Sequence, residues 1–239
     1  MLQKGGDVIG SGTYGCVFKP PLKCKGKTRK KGGISKLMTT DKGINEEEII
    51  LTIFNVIKKI PKFSDYFIIS NKFCKLDKLS NNEKSFLNKN CDDDIIDDYN
   101  KEYPLLINNQ KYGGKNLHNV FKEYKNKSDD VKISFLKEIT KSLKNILLEG
   151  IIPMHNLNIY HGDIKPQNLL WDNNKLRLID WGLSLLKIPE KDYNIIHFNR
   201  PYESILLGLN DKLKSTNMGK YIAYELKHYE DILSNVLII

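Results

Sequence analysis

The stretch with the densest chemistry is His161-Gly162-Asp163-Ile164-Lys165-Pro166-Gln167-Asn168, followed twelve residues after Asn168 by Asp180-Trp181-Gly182. Two short apolar segments, Asn168–Trp171 and Lys175–Ile179, lie between them, separated by the turn Asp172-Asn173-Asn174. The pattern reads as loop, strand, tight turn, strand and a second loop opening on an aspartate. Such a hairpin brings two carboxylates and one carboxamide to one edge. Phosphoryl transfer needs this set: a base for a hydroxyl proton, oxygen ligands for magnesium, and a lysine beside the moving phosphoryl. Taken singly, each residue is an ordinary turn residue; the joint spacing carries the inference.

Other elements must position a nucleotide against this edge. Ile9-Gly10-Ser11-Gly12-Thr13-Tyr14-Gly15-Cys16-Val17-Phe18 is rich in glycine and flanked by β-formers. A dinucleotide-binding reading would require a helix directly after the third glycine. Instead Cys16–Lys19 continues as a strand and Pro20-Pro21 stops it, so the segment is a hairpin. Glycines at its tip let backbone N–H groups approach phosphates without Cβ clashes. Ile34–Met38 is a short strand with one inward lysine, Lys36. Glu46-Glu47-Glu48 begins an amphipathic helix over Ile49, Ile50, Ile53, Phe54, Ile57 and Ile60, ended by Pro61. At about 100° per residue, Glu46 falls at the centre of the apolar stripe, while Glu47 and Glu48 turn away from it. A first helical turn favours acidic residues through the dipole alone, so only an inward-facing glutamate needs a further reason.

Bulk properties set the frame. A chain of 239 residues, 40% hydrophobic, suits one domain or one domain in two lobes. Cysteines 16, 24, 74 and 91 lack metal-site spacing and are expected as reduced thiols in a cytoplasmic setting. No signal peptide or membrane-spanning run is evident. Six basic residues crowd Lys23–Lys31. A solvated loop is the plain reading, and an anionic partner would require a patch borne by the fold. Tyr66–Ile69 reads as a strand, and residues 71–102, rich in Asn, Lys and Asp, as an irregular insertion. Tyr103–Ile107 reads as the next strand, followed by a connection over Asn108–Tyr112 and a turn at Gly113-Gly114. Val131–Gly150 is a long helix whose apolar residues, including Ile133, Phe135, Leu136, Ile139, Leu143 and Leu147, mark one buried face.

These motifs, strongest over 9–36, 161–182 and 198–208, together resemble the eukaryotic-type protein kinase superfamily. Composition, the His161-Gly162-Asp163 variant and the Arg200-Pro201-Tyr202 ending look closest to the compact Ser/Thr kinases of large DNA viruses. The resemblance implies an α+β fold with a β-rich N-lobe (about residues 1–110, with the insertion at 71–102). A helical C-lobe (about 113–239) would follow, shortened in its central helix. It implies Asp163 as catalytic base and Lys165 as the phosphate-side cation, with Asn168 and Asp180 as magnesium ligands. ATP would be held by Ile9, Gly10, Ser11, Gly12, Thr13, Tyr14, Gly15, Val17, Lys36 and Leu170, Ile9 and Val17 covering the adenine. A glutamate would pair with Lys36, Glu46 ahead of Glu47. A protein substrate follows, with a protein partner as one way to complete the C-lobe and no membrane or specific nucleic acid; a viral member would work in host cytoplasm or virion.

The sequence also departs from that family. Gly162 stands where an Arg usually pairs with a phosphorylated activation loop, which argues against that switch. Trp181 replaces Phe, Ile34 replaces Ala two residues before the lysine, and Tyr202 replaces Pro in the closing motif 199–208. The helix opening at Asp231 has few residues after it. Three other readings stand beside protein phosphorylation. One is a pseudokinase binding module. Another is a small-molecule kinase of the aminoglycoside phosphotransferase type, which Lys165 disfavours. The third is a truncated inactive product.

Overall fold

The computed structural model of the chain describes residues 7–12 and 15–186, and the side chains from Gly15 onward. These residues fall within the first of two compact units, Met1–Lys187. The expectations for Thr13, Tyr14, the closing motif 199–208 and Asp231 lie outside the described residues, as do the side chains of Ile9 and Ser11.

The glycine-rich segment is a hairpin. Strand β1 (Asp7–Gly12) returns as β2 (Gly15–Lys19), and β3 (Ile34–Thr39) follows the basic loop. Helix α1 (Thr40–Ile57) leads through the single turn α2 (Phe63–Tyr66) to β4 (Phe73–Lys75). Helices α3 (Asn81–Asn90) and α4 (Asp93–Asn100) precede β5 (Leu105–Gln110). The five strands form one antiparallel sheet in the order β1-β2-β3-β5-β4.

Residues 34–39 alternate faces, yet Ser35 through Met38 are all buried, because both faces of the sheet are covered. Cys16, Leu37 and Ile107 pack with Leu87 of α3 and Ile95 of α4 on one side. The other face carries the cross-strand row Val17, Lys36, Asn108 and Phe73, and α1 lies against it. Close approach of α1 to β5 depends on Gly43, where a Cβ would stand 2.8 Å from the Leu106 side chain.

A helical part follows the sheet. The pair β6 (Lys115–Asn116) enters α5 (Leu117–Tyr124), capped by the Asn116 side chain accepting from Asn119 N–H. Helix α6 (Asp129–Asn145) passes through a π-helical turn (Ile146–Ile151) into α7 (Ile152–Asn156). Strand β7 (Ile159–Tyr160) precedes the hairpin β8 (Leu169–Asp172) and β9 (Lys175–Leu178), and β10 (Leu185–Leu186) returns to pair with β7. One apolar core joins Ile50, Ile53 and Ile57 of α1 to Phe135 and Ile139 of α6 through Phe67 and Trp181. The architecture is therefore the expected α+β one, a β-sheet region followed by a helical region.

Several expectations are corrected. Helix α1 starts at Thr40, six residues before Glu46, so the three glutamates lie beyond its first turn and the dipole does not account for them. Tyr66–Ile69 is not a strand. Tyr66 closes the α2 turn, Phe67 forms a lone parallel bridge to Leu178, and Ile68 N–H donates to the Leu178 carbonyl. Residues 71–102 are ordered rather than irregular. Ser80 and Glu83 form a reciprocal capping box on α3, and sparse apolar residues such as Leu87 and Ile95 anchor both helices. Strand β5 runs on through Asn108 and Asn109 because their amides find partners, Asn108 at the Ser70 carbonyl and Asn109 at the Ser35 hydroxyl. In α6 and the π-helical turn after it the apolar residues form two rows. Phe135, Ile139 and Ile146 are buried, whereas Ile133, Leu136, Leu143 and Leu147 are exposed.

The cysteines are corrected too: all four are joined, Cys16 to Cys91 and Cys24 to Cys74. Sequence separations of 75 and 50 hide these pairs. The fold reveals them by laying α3 against the hairpin strands and the basic loop along β4. Each link shortens the accessible unfolded chain and stabilises the β-sheet region by about 2–4 kcal/mol.

Candidate active site

Two polar clusters meet where the sheet faces the β8–β9 hairpin. In the first, Lys36 is carried by β3, buried between strands on either side. Its Nζ donates to Glu46 Oε2 at 2.5 Å and to Asp180 Oδ1 at 2.7 Å. Glu46 is 4% exposed on the face of α1 that also buries Ile50, Ile53 and Ile57. Glu47 is only half-buried. The position read as inward from helical periodicity is thus the one that meets Lys36. Burial pushes the Lys36 ammonium down, but Asp180 and Glu46 outweigh it and leave the group above its ordinary range. Burial raises the Glu46 carboxyl against the pull of Lys36. For Asp180, burial raises and Lys36 lowers, and the net direction is down.

The second cluster is the loop after β7. Asp163 is 2% exposed. Its Oδ2 accepts from Asn168 Nδ2 at 2.9 Å and pairs with Lys165 Nζ at 2.7 Å. Asn168 Nδ2 also donates to the Asp163 backbone carbonyl at 2.9 Å. That double donation fixes the amide, since the reverse orientation would set oxygen against oxygen. A one-turn 3₁₀ segment, Pro166–Asn168, shapes the loop.

The clusters are connected by backbone. Ile179 N–H donates to the Asn168 carbonyl at 3.0 Å. Asp180 follows in the left-handed region (φ 66°), a conformation that non-glycine residues adopt at a cost. Trp181 is buried; its indole N–H donates to the Ile68 carbonyl at 2.9 Å and its ring packs edge-on to Phe67. Trp181 thereby shares the core that buries Ile50, Ile53 and Ile57 of α1. Leu170 and Ile68 both close on Gly113, and Val17 stands opposite Lys36.

Gly162 is fixed by geometry. It has φ 76°, and a Cβ there would stand 2.4 Å from the Leu183 carbonyl oxygen. An arginine cannot occupy this backbone without moving the Leu183 peptide. The missing side chain is therefore part of how this loop closes.

Sequence reading gave His161 no role of its own. Its buried ring accepts from Asp163 N–H at Nδ1 (3.3 Å) and donates from Nε2 to the Ile179 carbonyl (2.9 Å), so one neutral tautomer braces both loops. Burial pushes its pKa from 6.5 down to about 4. An unfolded chain takes up this proton near 6.5 and the folded chain only near 4. The contribution to stability is thus complete above pH 6.5 and is lost as pH falls through 4, about 3 kcal/mol in all. Glu46, raised by burial, acts in the opposite sense. The measurement is therefore the wild-type urea midpoint between pH 7 and 4.5, minus that of His161→Gln. The wild type should lose more stability than the variant; equal slopes would contradict the assignment.

The donor set suits a hard divalent cation. Lys36 occupies only Asp180 Oδ1, and Asn168 donates through Nδ2, so Asp180 Oδ2 and Asn168 Oδ1 remain as oxygen donors. Two protein oxygens fit Mg²⁺, which keeps waters and takes phosphate oxygens. Among the described residues no cluster of three or more His, Cys, Asp or Glu could hold a metal by itself.

Comparison with known proteins points to one family. The family model described as "Protein kinase domain" matches residues 4–204. Casein kinase II subunit alpha' of Saccharomyces cerevisiae is 32% identical over 123 residues, covering 49% of this chain and 32% of that protein. The phosphorylase b kinase gamma catalytic chain, liver/testis isoform, of Bos taurus is 43% identical over 54 residues, 22% of this chain and 13% of that protein. The aligned stretches thus span a third or less of these relatives.

Proposed function

The chain belongs to the protein kinase domain family, and we propose that it transfers the γ-phosphoryl of Mg-ATP to serine or threonine hydroxyls of proteins. The observation that carries this reading is the pair of assembled clusters, Lys36–Glu46–Asp180 and Asp163–Lys165–Asn168. Their chemistry is complementary. Lys36 and the glycine hairpin hold phosphates, Asn168 and Asp180 hold Mg²⁺, and the metal supplies charge neutralisation on the phosphate oxygens when bound. Asp163 accepts the hydroxyl proton, its orientation fixed by Asn168. Lys165, already beside Asp163, stabilises negative charge on the transferred group. Both relatives bear the names of kinases, which supports a protein substrate.

The kinship to compact kinases of large DNA viruses belongs to the same proposal. A cytoplasmic setting was argued from reduced thiols, and the two disulfides withdraw that argument. Among the described residues no helix is long and apolar enough to cross a membrane.

Nucleotide binding tests the reading. Millimolar Mg-ATP should raise the melting temperature by mass action. Asp180→Ala should remove the magnesium-dependent part. A wild-type melting curve indifferent to Mg-ATP would contradict the proposal.

A further inference from the structure

The basic run Lys23–Lys31 plays no part in the site above, and the fold converts it into a fixed surface. Cys24 bridges to Leu76 and is bonded to Cys74. Lys25 N–H donates to the Lys75 carbonyl and Asp77 N–H to the Lys23 carbonyl, each at 2.9 Å. Residues 23–25 thus form one edge of a short antiparallel ribbon with 75–77, flanked by Lys72 and Lys78, and Lys27–Lys31 continue from that edge as a loop. Nine basic residues over 23–31 and 72–78 face one aspartate there and Glu83 nearby, a net of +7 against +9 for the whole chain. Lysine-rich composition alone would spread the charge; this fold concentrates it.

The acidic groups at hand are already engaged. Lys23 pairs with Asp77 at 2.7 Å, and Arg29 pairs with the buried Glu83 at 2.6 Å. Among the described residues Lys25, Lys27, Lys30, Lys31, Lys72 and Lys75 have no ion-pair partner, and all are exposed. Lys25 stands directly across the ribbon from Lys75. Like charges placed so are destabilising, so folding stability does not explain the arrangement.

We propose that this ribbon is a docking surface for an acidic polypeptide segment of a protein substrate or partner. The choice of a protein rests on the function proposed above. The surface itself argues against the other polyanions. The one arginine is consumed by Glu83, no large apolar or aromatic side chain of 20–33 or 71–80 is exposed for stacking, and none is available to anchor in a lipid surface. Docking away from the catalytic loop adds affinity by raising the local concentration of the acceptor.

The test uses the full chain and a fluorescent poly-glutamate peptide, followed by anisotropy at two salt concentrations. The peptide should bind more weakly at higher salt. Lys25→Glu, Lys31→Glu and Lys75→Glu combined should weaken it about tenfold or more. Reversing Lys125 and Lys127, exposed between α5 and α6, should leave binding unchanged. Melting temperature confirms folding, and the milder glutamine variants should show a smaller loss of the same sign. No binding, or equal loss in the Lys125/Lys127 control, would overturn the proposal. So would single-stranded RNA or anionic vesicles binding through these lysines more tightly than the peptide. Turnover on a neutral serine peptide should be the same in wild type and triple variant. If the wild type has none, the kinase reading fails while the binding result still decides the surface.

Discussion

Asp163→Asn should lower turnover by about 10²–10⁴ while leaving ATP affinity nearly unchanged. The substitution keeps the shape and the bond to Asn168 but removes the proposed acceptor of the hydroxyl proton. Its stability cost should be small beside its kinetic cost, although Lys165 loses an ion-pair partner at 2.7 Å. Lys165 is part-exposed and can turn to water. Steady-state kinetics should therefore show kcat falling and KM for ATP holding. Turnover within threefold of wild type would mean that Asp163 is not the base.

Removing Lys36 should affect both activity and stability, and the two can be separated. Lys36→Met should reduce turnover by about 10²–10³, the scale for losing one oriented cation at developing charge. It should also destabilise the fold by about 3 kcal/mol, because Glu46 and Asp180 are left facing each other without their shared cation. Adding Glu46→Gln should restore much of the stability by removing one stranded charge. It should restore none of the turnover, since the proposed phosphate ligand is still missing. Urea denaturation reads the first effect and kinetics the second. Turnover that returned with stability would show Lys36 to be only a structural brace.

The site was legible because its residues are few, local and chemically unusual. Asp163, Lys165, Asn168 and Asp180 are spaced by one loop and one hairpin, and the hairpin register follows from Asn173-Asn174 at the turn. Helical period marks Glu46 as the inward glutamate, and the family resemblance implies its pairing with Lys36. What the sequence concealed depends on distant partners. Leu136 and Phe135 are equally apolar, and only packing decides that one is exposed and the other buried. Asn108 and Asn109 look like loop residues until Ser70 is seen to accept from the Asn108 amide and Ser35 to donate to that of Asn109 inside a strand. The disulfides bring together cysteines 75 and 50 residues apart, so no local pattern marks them. Helices α3 and α4 were missed for a different reason. Their polarity suggested disorder, yet the Ser80–Glu83 capping box was visible in the sequence as a helix start.

The most direct measurement is transfer of label from γ-labelled Mg-ATP to a generic protein acceptor by the full chain, with phosphoamino-acid analysis of the product. The proposed function predicts acid-stable label on serine or threonine, dependent on magnesium and reduced to near background by Asp163→Asn. Wild-type transfer no greater than that of Asp163→Asn, from protein that is folded and binds Mg-ATP, would contradict the assignment of this chain as an active kinase.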